Sequence, residues 1–315
     1  MDIAPYQFLA VDTEGFRVLL TNGDSGEIVG EWPLPGEFSP VDMQLGADAT
    51  AYIPTINRQG RGALFTLSLP SGELTQLALD LPAIERFAAG PQPGQAVIAT
   101  RDGALFTLDT IKRSLHLLGR SQEPSVCVGL AVEANTVYTV WQHSPQGVLA
   151  VISTDGQLCA EKLLPGLPTG LAQSSRYLYI PFTAADDGDE GLLLLPKDRI
   201  DAEPAVIALH HCQDGASFRT YPCYVAVTPD EATAYVAHED SANISIVDIA
   251  AARVSGYIPV GRSVSCLSLL PDCRFAIAGS NMFADLSLID LVNRRLLSLT
   301  DCERELFGQV AVLPG

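Results

Sequence analysis

Positive charge is scarce in this chain, and long apolar runs are missing. The 315 residues include 19 lysines and arginines against 37 aspartates and glutamates, for a formal net charge of −18. A surface of that sign repels nucleic acid and anionic lipid, so we expect neither nucleic acid nor a membrane as a partner. No apolar stretch reaches the roughly 18 residues of a membrane span. The start, MDIAPYQFLAVDTEGF, lacks the basic end and apolar core of a signal peptide. We therefore expect a cytoplasmic protein.

The seven cysteines follow none of the spacings that bind haem or zinc. Neither C-x-x-C nor C-x-x-C-H occurs, which argues against c-type haem and simple zinc ribbons. Cys127 and Cys266 lie inside apolar strand-like runs, where a thiol behaves as a small hydrophobe. An odd number of cysteines at irregular spacing suits a reducing compartment.

Motifs of several large enzyme classes are also missing. The chain has no G-x-S-x-G elbow, no H-E-x-x-H and no phosphate-binding glycine loop. A nucleophilic or nucleotide-dependent enzyme is therefore unsupported, and we expect no cofactor.

What the sequence does contain is a repeat of apolar, strand-like runs. Successive runs lie 44, 45, 41, 41, 56 and 41 residues apart, as marked by Phe8, Tyr52, Val97, Tyr138, Tyr179, Tyr235 and Ala276. A period in the forties, made of four short strands, is typical of a β-propeller blade. The repeat therefore predicts one toroid, although length alone suggests two domains.

The clearest unit runs from Tyr221 to Val260 and divides into four runs, CYVAV, TAYVA, ISIVDI and RVSGYIPV. β-Branched and aromatic residues fill these runs, as a half-buried pleated surface prefers. Pro229 and Asp230 supply the turn between the first two runs, where proline presets the backbone. We label the four strands of each blade A to D in this order.

The seventh blade is split between the chain ends. FGQVAVLPG, at the C-terminal end, supplies strand A, while YQFLAVD, FRVLLTN and EIVGEWPL supply strands B, C and D. Pairing Phe307–Leu313 with Gln7–Asp12 closes the ring and removes its open edges. We therefore predict an all-β, seven-bladed β-propeller with four antiparallel strands per blade. It forms a single domain over residues 1–315, and its seventh blade combines residues 1–35 with residues 305–315.

One blade resembles a known repeat. TPDEATAYVAHEDSANISIVDIAAARVSGYIPVG, from Thr228 to Gly261, is similar to the YVTN-type propeller repeat, PDGxxAYVANxxxxxVSVIDxxxxxVxxxIPVG, within the WD40-like propellers. Proteins with this repeat include surface-layer propellers, propeller subunits of quinone-cofactor amine dehydrogenases and cytosolic 6-phosphogluconolactonases. The resemblance thus implies a fold more than an activity.

Candidate binding residues collect on one face of the predicted ring. Because strand direction alternates, the B–C turns and the D–A connections share a face, and the insertions around residues 183–191 and 210–220 both fall there. Long loops on a rigid scaffold are where binding concentrates. The candidates for contact with a ligand or partner are Arg58, Arg61, Trp141, His143, Arg219, His238 and Glu239.

The acidic loop TAADDGDEG is a candidate calcium site. Its oxygen donors are Asp186, Asp187, Asp189 and Glu190, and hard oxygen ligands at this density suit calcium. Their spacing is not that of an EF-hand, and a solvated charged hairpin is the alternative.

A lactone hydrolase is a second interpretation. YVAHEDSANISIVDI is similar to the YVVNELSSTVTVY stretch of the phosphogluconolactonases, which implies that Glu239 lies near substrate, with His238 beside it. Such an enzyme needs a general base and cations for the phosphate and oxyanion. The arginines available are Arg58, Arg61, Arg86 and Arg219. The Arg-His pair that precedes strand A in that family is replaced here by TYPCYVAV.

Three functions thus stay open. The first is a non-catalytic propeller that binds a protein partner or small ligand on the B–C/D–A face. The second is a lactonase-like hydrolase that uses Glu239. The third is a cofactor-free propeller subunit of a redox complex, as in the amine dehydrogenases.

The cysteine pattern yields a first prediction. All seven thiols are expected to be reduced and most to be buried, because nothing in their spacing indicates a disulfide framework. Thiol titration of the denatured, non-reduced protein checks this, and a count below seven contradicts it.

Overall fold

The computed structural model describes residues 6–12, 15–23, 25–46, 48–121, 125–183, 190–209, 211–213, 216–218, 220–280, 285–301 and 310–313. Every regular element in these ranges is a β-strand. Within them no helix has the length and hydropathy needed to cross a membrane.

The first half of the chain forms part of blade 7 and all of blades 1 to 3. Blade 7 begins with β1 (Gln7–Asp12), β2 (Arg17–Asn22) and β3 (Ile28–Pro33). Blade 1 contains β4 (Phe38–Pro40), β5 (Gln44–Leu45), β6 (Thr50–Asn57), β7 (Arg61–Ser68) and β8 (Glu73–Pro82). Blade 2 contains β9 (Ile84–Ala89), β10 (Gln95–Thr100), β11 (Ala104–Asp109) and β12 (Ser114–Arg120). Blade 3 contains β13 (Val126–Glu133), β14 (Thr136–His143), β15 (Gln146–Ser153) and β16 (Leu158–Leu164).

The second half forms blades 4 to 6 and the closing strand. Blade 4 contains β17 (Leu167–Pro168), β18 (Ala172–Gln173), β19 (Tyr177–Thr183), β20 (Gly191–Pro196) and β21 (Ala205–Ala208). A separate hairpin follows, with β22 (His211–Gln213) and β23 (Ala216–Phe218). Blade 5 contains β24 (Pro222–Val227), β25 (Thr233–His238), β26 (Asn243–Asp248) and β27 (Arg253–Pro259). Blade 6 contains β28 (Cys266–Leu269), β29 (Phe275–Gly279), β30 (Asp285–Asp290) and β31 (Arg295–Asp301), and β32 (Ala311–Val312) ends the series.

Each blade is an antiparallel meander, so the predicted seven-bladed β-propeller is confirmed. Inner strands are apolar on both faces, as in β25, where the last five residues are all buried. Outer strands alternate mostly between exposed and partly buried positions, as in β27. This difference explains why the inner runs stand out most clearly in the sequence.

The hydrophobic core consists of seven clusters, one in each gap between neighbouring blades. In the gap between blades 1 and 2, Tyr52 stacks on Phe87 with 5.3 Å between ring centroids. Burial of apolar surface between sheets stabilises the ring at about 25 cal/mol per Å². Every blade therefore packs against two neighbours, and closing the ring covers the two faces that an open ring would leave exposed.

Closure comes from β32, which supplies the inner strand of blade 7. Ala311 pairs with Leu9 and Val312 with Phe8, and the Leu313 N–H donates to the Gln7 carbonyl at 2.9 Å. Val310, just before β32, is buried between blades 6 and 7. The predicted pairing between the chain ends is thus present, although its residues 307–309 lie outside the described residues.

The cysteines differ in part from expectation. Cys127, Cys159, Cys223, Cys266 and Cys273 are free thiols. Only Cys127 and Cys266 of these five are fully buried, so the expectation that most are buried is wrong for the described set. Cys159 is exposed because it lies on the outermost strand of blade 3, which has no neighbour on its outer edge.

Ring closure gives the second prediction. Deleting residues 310–315 removes the buried Val310 and the bridge to β1, so the free energy of unfolding should fall by about 2–5 kcal/mol. Urea unfolding followed by tryptophan fluorescence measures this loss. A matched deletion of residues 314–315 should have little effect, and equal midpoints for the two truncations would refute closure by β32.

Candidate functional site

The inner strands converge on a cavity of about 490 Å³ in the central channel, toward the B–C/D–A face. Its lining comes from the first residues of strand A in six blades, because strand A starts at this face and runs along the channel. The polar lining residues that matter below are Asp42, Gln44, Arg86, Tyr224 and Glu239.

Asp42 lies where strand A of blade 1 is interrupted. β4 ends at Pro40 and β5 starts at Gln44, because proline has no N–H to continue the ladder. The Asp42 side chain lines the cavity although the residue is only 8% exposed. Burial raises the pKa of its carboxyl to about 6, and the positive charge of Arg86 and the Met43 N–H oppose that shift.

Arg86 is a cation in the lining of this cavity and belongs to strand A of blade 2. Its Nε donates to the Val128 carbonyl at 3.0 Å and its Nη1 to the Glu85 carbonyl at 2.7 Å. Both acceptors are neutral carbonyls, so neither hydrogen bond supplies a negative charge to pair with the guanidinium in the cavity lining. The bond to Val128 also links blade 2 to blade 3.

Glu239 follows β25 and reaches the same cavity from blade 5. Its N–H donates to the Tyr221 carbonyl at 3.0 Å, which fixes the turn. Partial burial, and to a smaller degree Asp240, raise the pKa of the Glu239 carboxyl. His238 precedes it but is fully buried, and its Nε2 lies 2.8 Å from the Ser245 hydroxyl inside the sheet. His238 is not part of the cavity lining.

Neutral groups complete the wall beside Asp42. Burial raises the pKa of the Cys266 thiol to about 11, and it also raises the pKa of Cys223 and Tyr224. All three groups are therefore uncharged at neutral pH. The Cys223 thiol donates to the Val264 carbonyl at 3.4 Å and so joins blade 5 to blade 6.

The other candidates lie away from the cavity. Arg58 and Arg61 are exposed at the B–C turn of blade 1, and Arg219 lies outside the described residues. Trp141 is buried between blades 2 and 3, where its Nε1 donates to the Thr139 hydroxyl at 2.9 Å. His143 borders a cleft of about 660 Å³ between these two blades.

Of the proposed calcium ligands, Asp186, Asp187 and Asp189 lie outside the described residues. Glu190 is buried and accepts hydrogen bonds from the Thr220 N–H at 2.5 Å, the Thr220 hydroxyl at 2.8 Å and the Tyr221 N–H at 3.2 Å. Its carboxylate therefore anchors the entry to blade 5. Over the described ranges, no group of three or more His, Cys, Asp or Glu residues is arranged to hold a metal ion.

No protein-family model and no curated protein sequence matches the chain. Solved structures are similar in fold. Apo AztD from Citrobacter koseri is 12% identical, with 99% of this chain and 98% of that chain covered and a TM-score of 0.60. Kuenenia stuttgartiensis hydrazine synthase is 13% identical, with 88% and 90% covered and a TM-score of 0.72. A functionally unknown protein from Desulfotomaculum acetoxidans is 13% identical, with 97% and 98% covered and a TM-score of 0.71.

These identities establish a shared propeller fold and nothing about activity. The similarity to the YVTN repeat remains a prediction.

The buried carboxyl gives the third prediction. In the unfolded chain Asp42 titrates near 3.8, whereas its folded pKa is about 6. The ionised carboxylate is thus disfavoured in the folded protein, and stability is lost as the pH rises from 3.8 through 6. Asp42→Asn should therefore stabilise the protein above pH 6 by about 2–3 kcal/mol, and this gain should vanish below pH 4.

Denaturant unfolding at pH 4 and pH 8 measures this difference. Asp48→Asn is the matched control, because Asp48 is exposed in the same blade. A gain that is equal at both pH values, or equal for both variants, contradicts the assignment.

Proposed function

We propose that this protein is a non-catalytic binding propeller whose ligand is a small polar molecule held in the channel cavity. The observation that carries the proposal is the convergence of Asp42, Arg86 and Glu239, from three different blades, on one cavity of about 490 Å³. Ligand sites typically have volumes of about 300–1,000 Å³ and a few converging polar groups.

A buried ionisable group without a salt bridge also supports this proposal. Burial raises the pKa of the Asp42 carboxyl, so we expect its ionised form to destabilise the folded protein, and such costs concentrate at functional sites. A small ligand suits the site better than a protein partner, because these polar groups are recessed in the channel. On the charge balance of −18, we further propose that the protein binds neither nucleic acid nor membranes. The irregular cysteine spacing is the basis on which we propose a reducing, cytoplasmic compartment.

The lactonase-like hydrolase is the second candidate, and one observation favours it. Glu239 and Arg86 line the same cavity, so a general base and a cation for an oxyanion are available there. The raised pKa of Glu239 moves this carboxyl toward the working range of a base. Hydrolysis of 6-phosphogluconolactone that is lost in Glu239→Gln would favour this candidate. For the redox-subunit alternative, no residue of the described part offers specific support.

Filling the cavity is the fourth prediction. Val41 lines the cavity and is 38% exposed, so Val41→Trp should fill the channel at little cost to folding. Equilibrium dialysis against a small-molecule cell extract, followed by mass spectrometry, should show at least one compound that the wild type enriches. Val41→Trp should reduce its enrichment at least tenfold.

Val206→Trp is the matched control, because Val206 is 59% exposed on the outer strand of blade 4 and does not line this cavity. It should bind like the wild type. If no compound is enriched, or if Val41→Trp enriches the same compounds as the wild type, the channel is not the binding site.

A further inference from the structure

We propose that the ligand of the channel cavity is a small amino acid-like zwitterion, whose protonated amine pairs with Asp42 and whose carboxylate pairs with Arg86. This inference deepens the proposed binding function and rests on it.

The inference is based on two side chains of opposite charge, Asp42 and Arg86, which line the same cavity without forming a direct ion pair. No nitrogen of Arg86 lies within 4.0 Å of a carboxylate oxygen of Asp42. The positive charge of Arg86 nevertheless lowers the pKa of Asp42, so the two groups interact electrostatically. Charges of opposite sign on neighbouring strands normally form a direct pair when they can, because an isolated buried charge is costly. The gap between them has the charge pattern that a zwitterion complements.

Each group also keeps hydrogen-bonding capacity for a ligand. The Met43 N–H donates to Oδ1 of Asp42 at 2.8 Å, while nothing in the described part of the chain donates to Oδ2. Arg86 uses Nε and Nη1 on backbone carbonyls, which leaves Nη2 as a donor. A planar guanidinium with a free terminal nitrogen suits a carboxylate, and a carboxylate suits an ammonium group.

The remaining groups near Asp42 do not compete for the amine's charge. Arg86 faces Asp42 from β9, Tyr224 from β24 and Cys266 from β28. Tyr224 and Cys266 are neutral at pH 7 because burial raises the pKa of both. Glu239 adds a second carboxylate to the cavity, so the site has net negative charge and favours the amine end of the ligand.

Three simpler ligands fit this lining less well. A metal ion has too few ligands, since the described residues bring no three His, Cys, Asp or Glu side chains together. A plain anion would meet two carboxylates for one arginine, and a plain cation would pair with the carboxylates but offer no acceptor to the Nη2 donor of Arg86. A ligand with both charges gives a partner to Asp42 and to Arg86.

Calorimetric titration with matched compounds tests the inference. The panel contains glycine, β-alanine, 4-aminobutyrate and 6-aminohexanoate, and for each the amine and the carboxylic acid of the same chain length. At pH 8 one zwitterion should bind at least tenfold more tightly than its matched amine and its matched acid. If the amine alone binds as tightly as the zwitterion, the carboxylate is not recognised and the inference is wrong.

Variants assign the two ends. Asp42→Asn keeps the acceptor for the Met43 N–H and should weaken zwitterion binding at least tenfold, while Asp48→Asn should change it less than twofold.

Arg86→Gln should remove the tighter binding of the zwitterion relative to the matched amine. Arg101 is an exposed arginine of blade 2, which also contains Arg86, and Arg101→Gln should retain that tighter binding. Because Arg86 also joins two blades, the melting temperature of each variant is measured first. If Arg86→Gln does not fold, the advantage of zwitterion over amine in the wild type remains the deciding result.

The pH dependence is a separate readout. Wild-type binding should weaken at least fivefold between pH 8 and pH 5, as Asp42 becomes protonated near its pKa of about 6. Glu239→Gln should keep this dependence and Asp42→Asn should lose it. A flat wild-type profile contradicts the role of Asp42.

The calorimetric panel and the extract dialysis together distinguish a failure of the zwitterion inference from a failure of the proposed binding function. If no panel compound binds but the extract contains a compound whose enrichment Val41→Trp abolishes, the binding function stands and the zwitterion is wrong. If neither experiment shows binding, both fail.

Discussion

The short bridge between β1 and β32 is the constraint on which the rest of the structure depends. Each blade buries its faces only against its two neighbours, through the seven clusters of the core. Pairing Leu9 with Ala311 completes the last blade, and the inner strands are then fixed around a channel of defined width. A cavity lined by six of these strands can exist only in a closed ring.

The groups that line the cavity also hold the blades together. Gln44 donates to the Phe87 carbonyl at 2.7 Å and accepts from the Ala89 N–H at 3.2 Å. Arg86 links blade 2 to blade 3, and Cys223 links blade 5 to blade 6. These bonds hold the neighbouring inner strands in register, so Asp42, Arg86 and Glu239 are positioned by the scaffold. A site of this kind is preorganised and needs little rearrangement to bind a small ligand.

The sequence predicts the fold far better than the site. Repeat spacing and matching chain ends identify seven blades because strand periodicity is local and is repeated many times. Their place at predicted B–C turns suggested His238 and Trp141, yet both are buried, His238 inside the sheet of blade 5 and Trp141 between blades 2 and 3. The sequence does not predict that Asp42 is a site residue, because its strand looks like an apolar run. The only local signal is an acidic residue two positions after Pro40. That Arg86 lies near Asp42, on the inner strand of the next blade, depends on ring geometry, which no local pattern contains.

The central claim is that Asp42 and Arg86 form the two ends of one binding site in the channel. A crystal structure of the protein grown with the tightest-binding zwitterion of the panel tests it most directly. We expect electron density between the Asp42 carboxylate and the Arg86 guanidinium, with the amine on the aspartate side. Density located instead in the cleft between blades 2 and 3, or a direct Asp42–Arg86 ion pair with nothing between the two side chains, would contradict it.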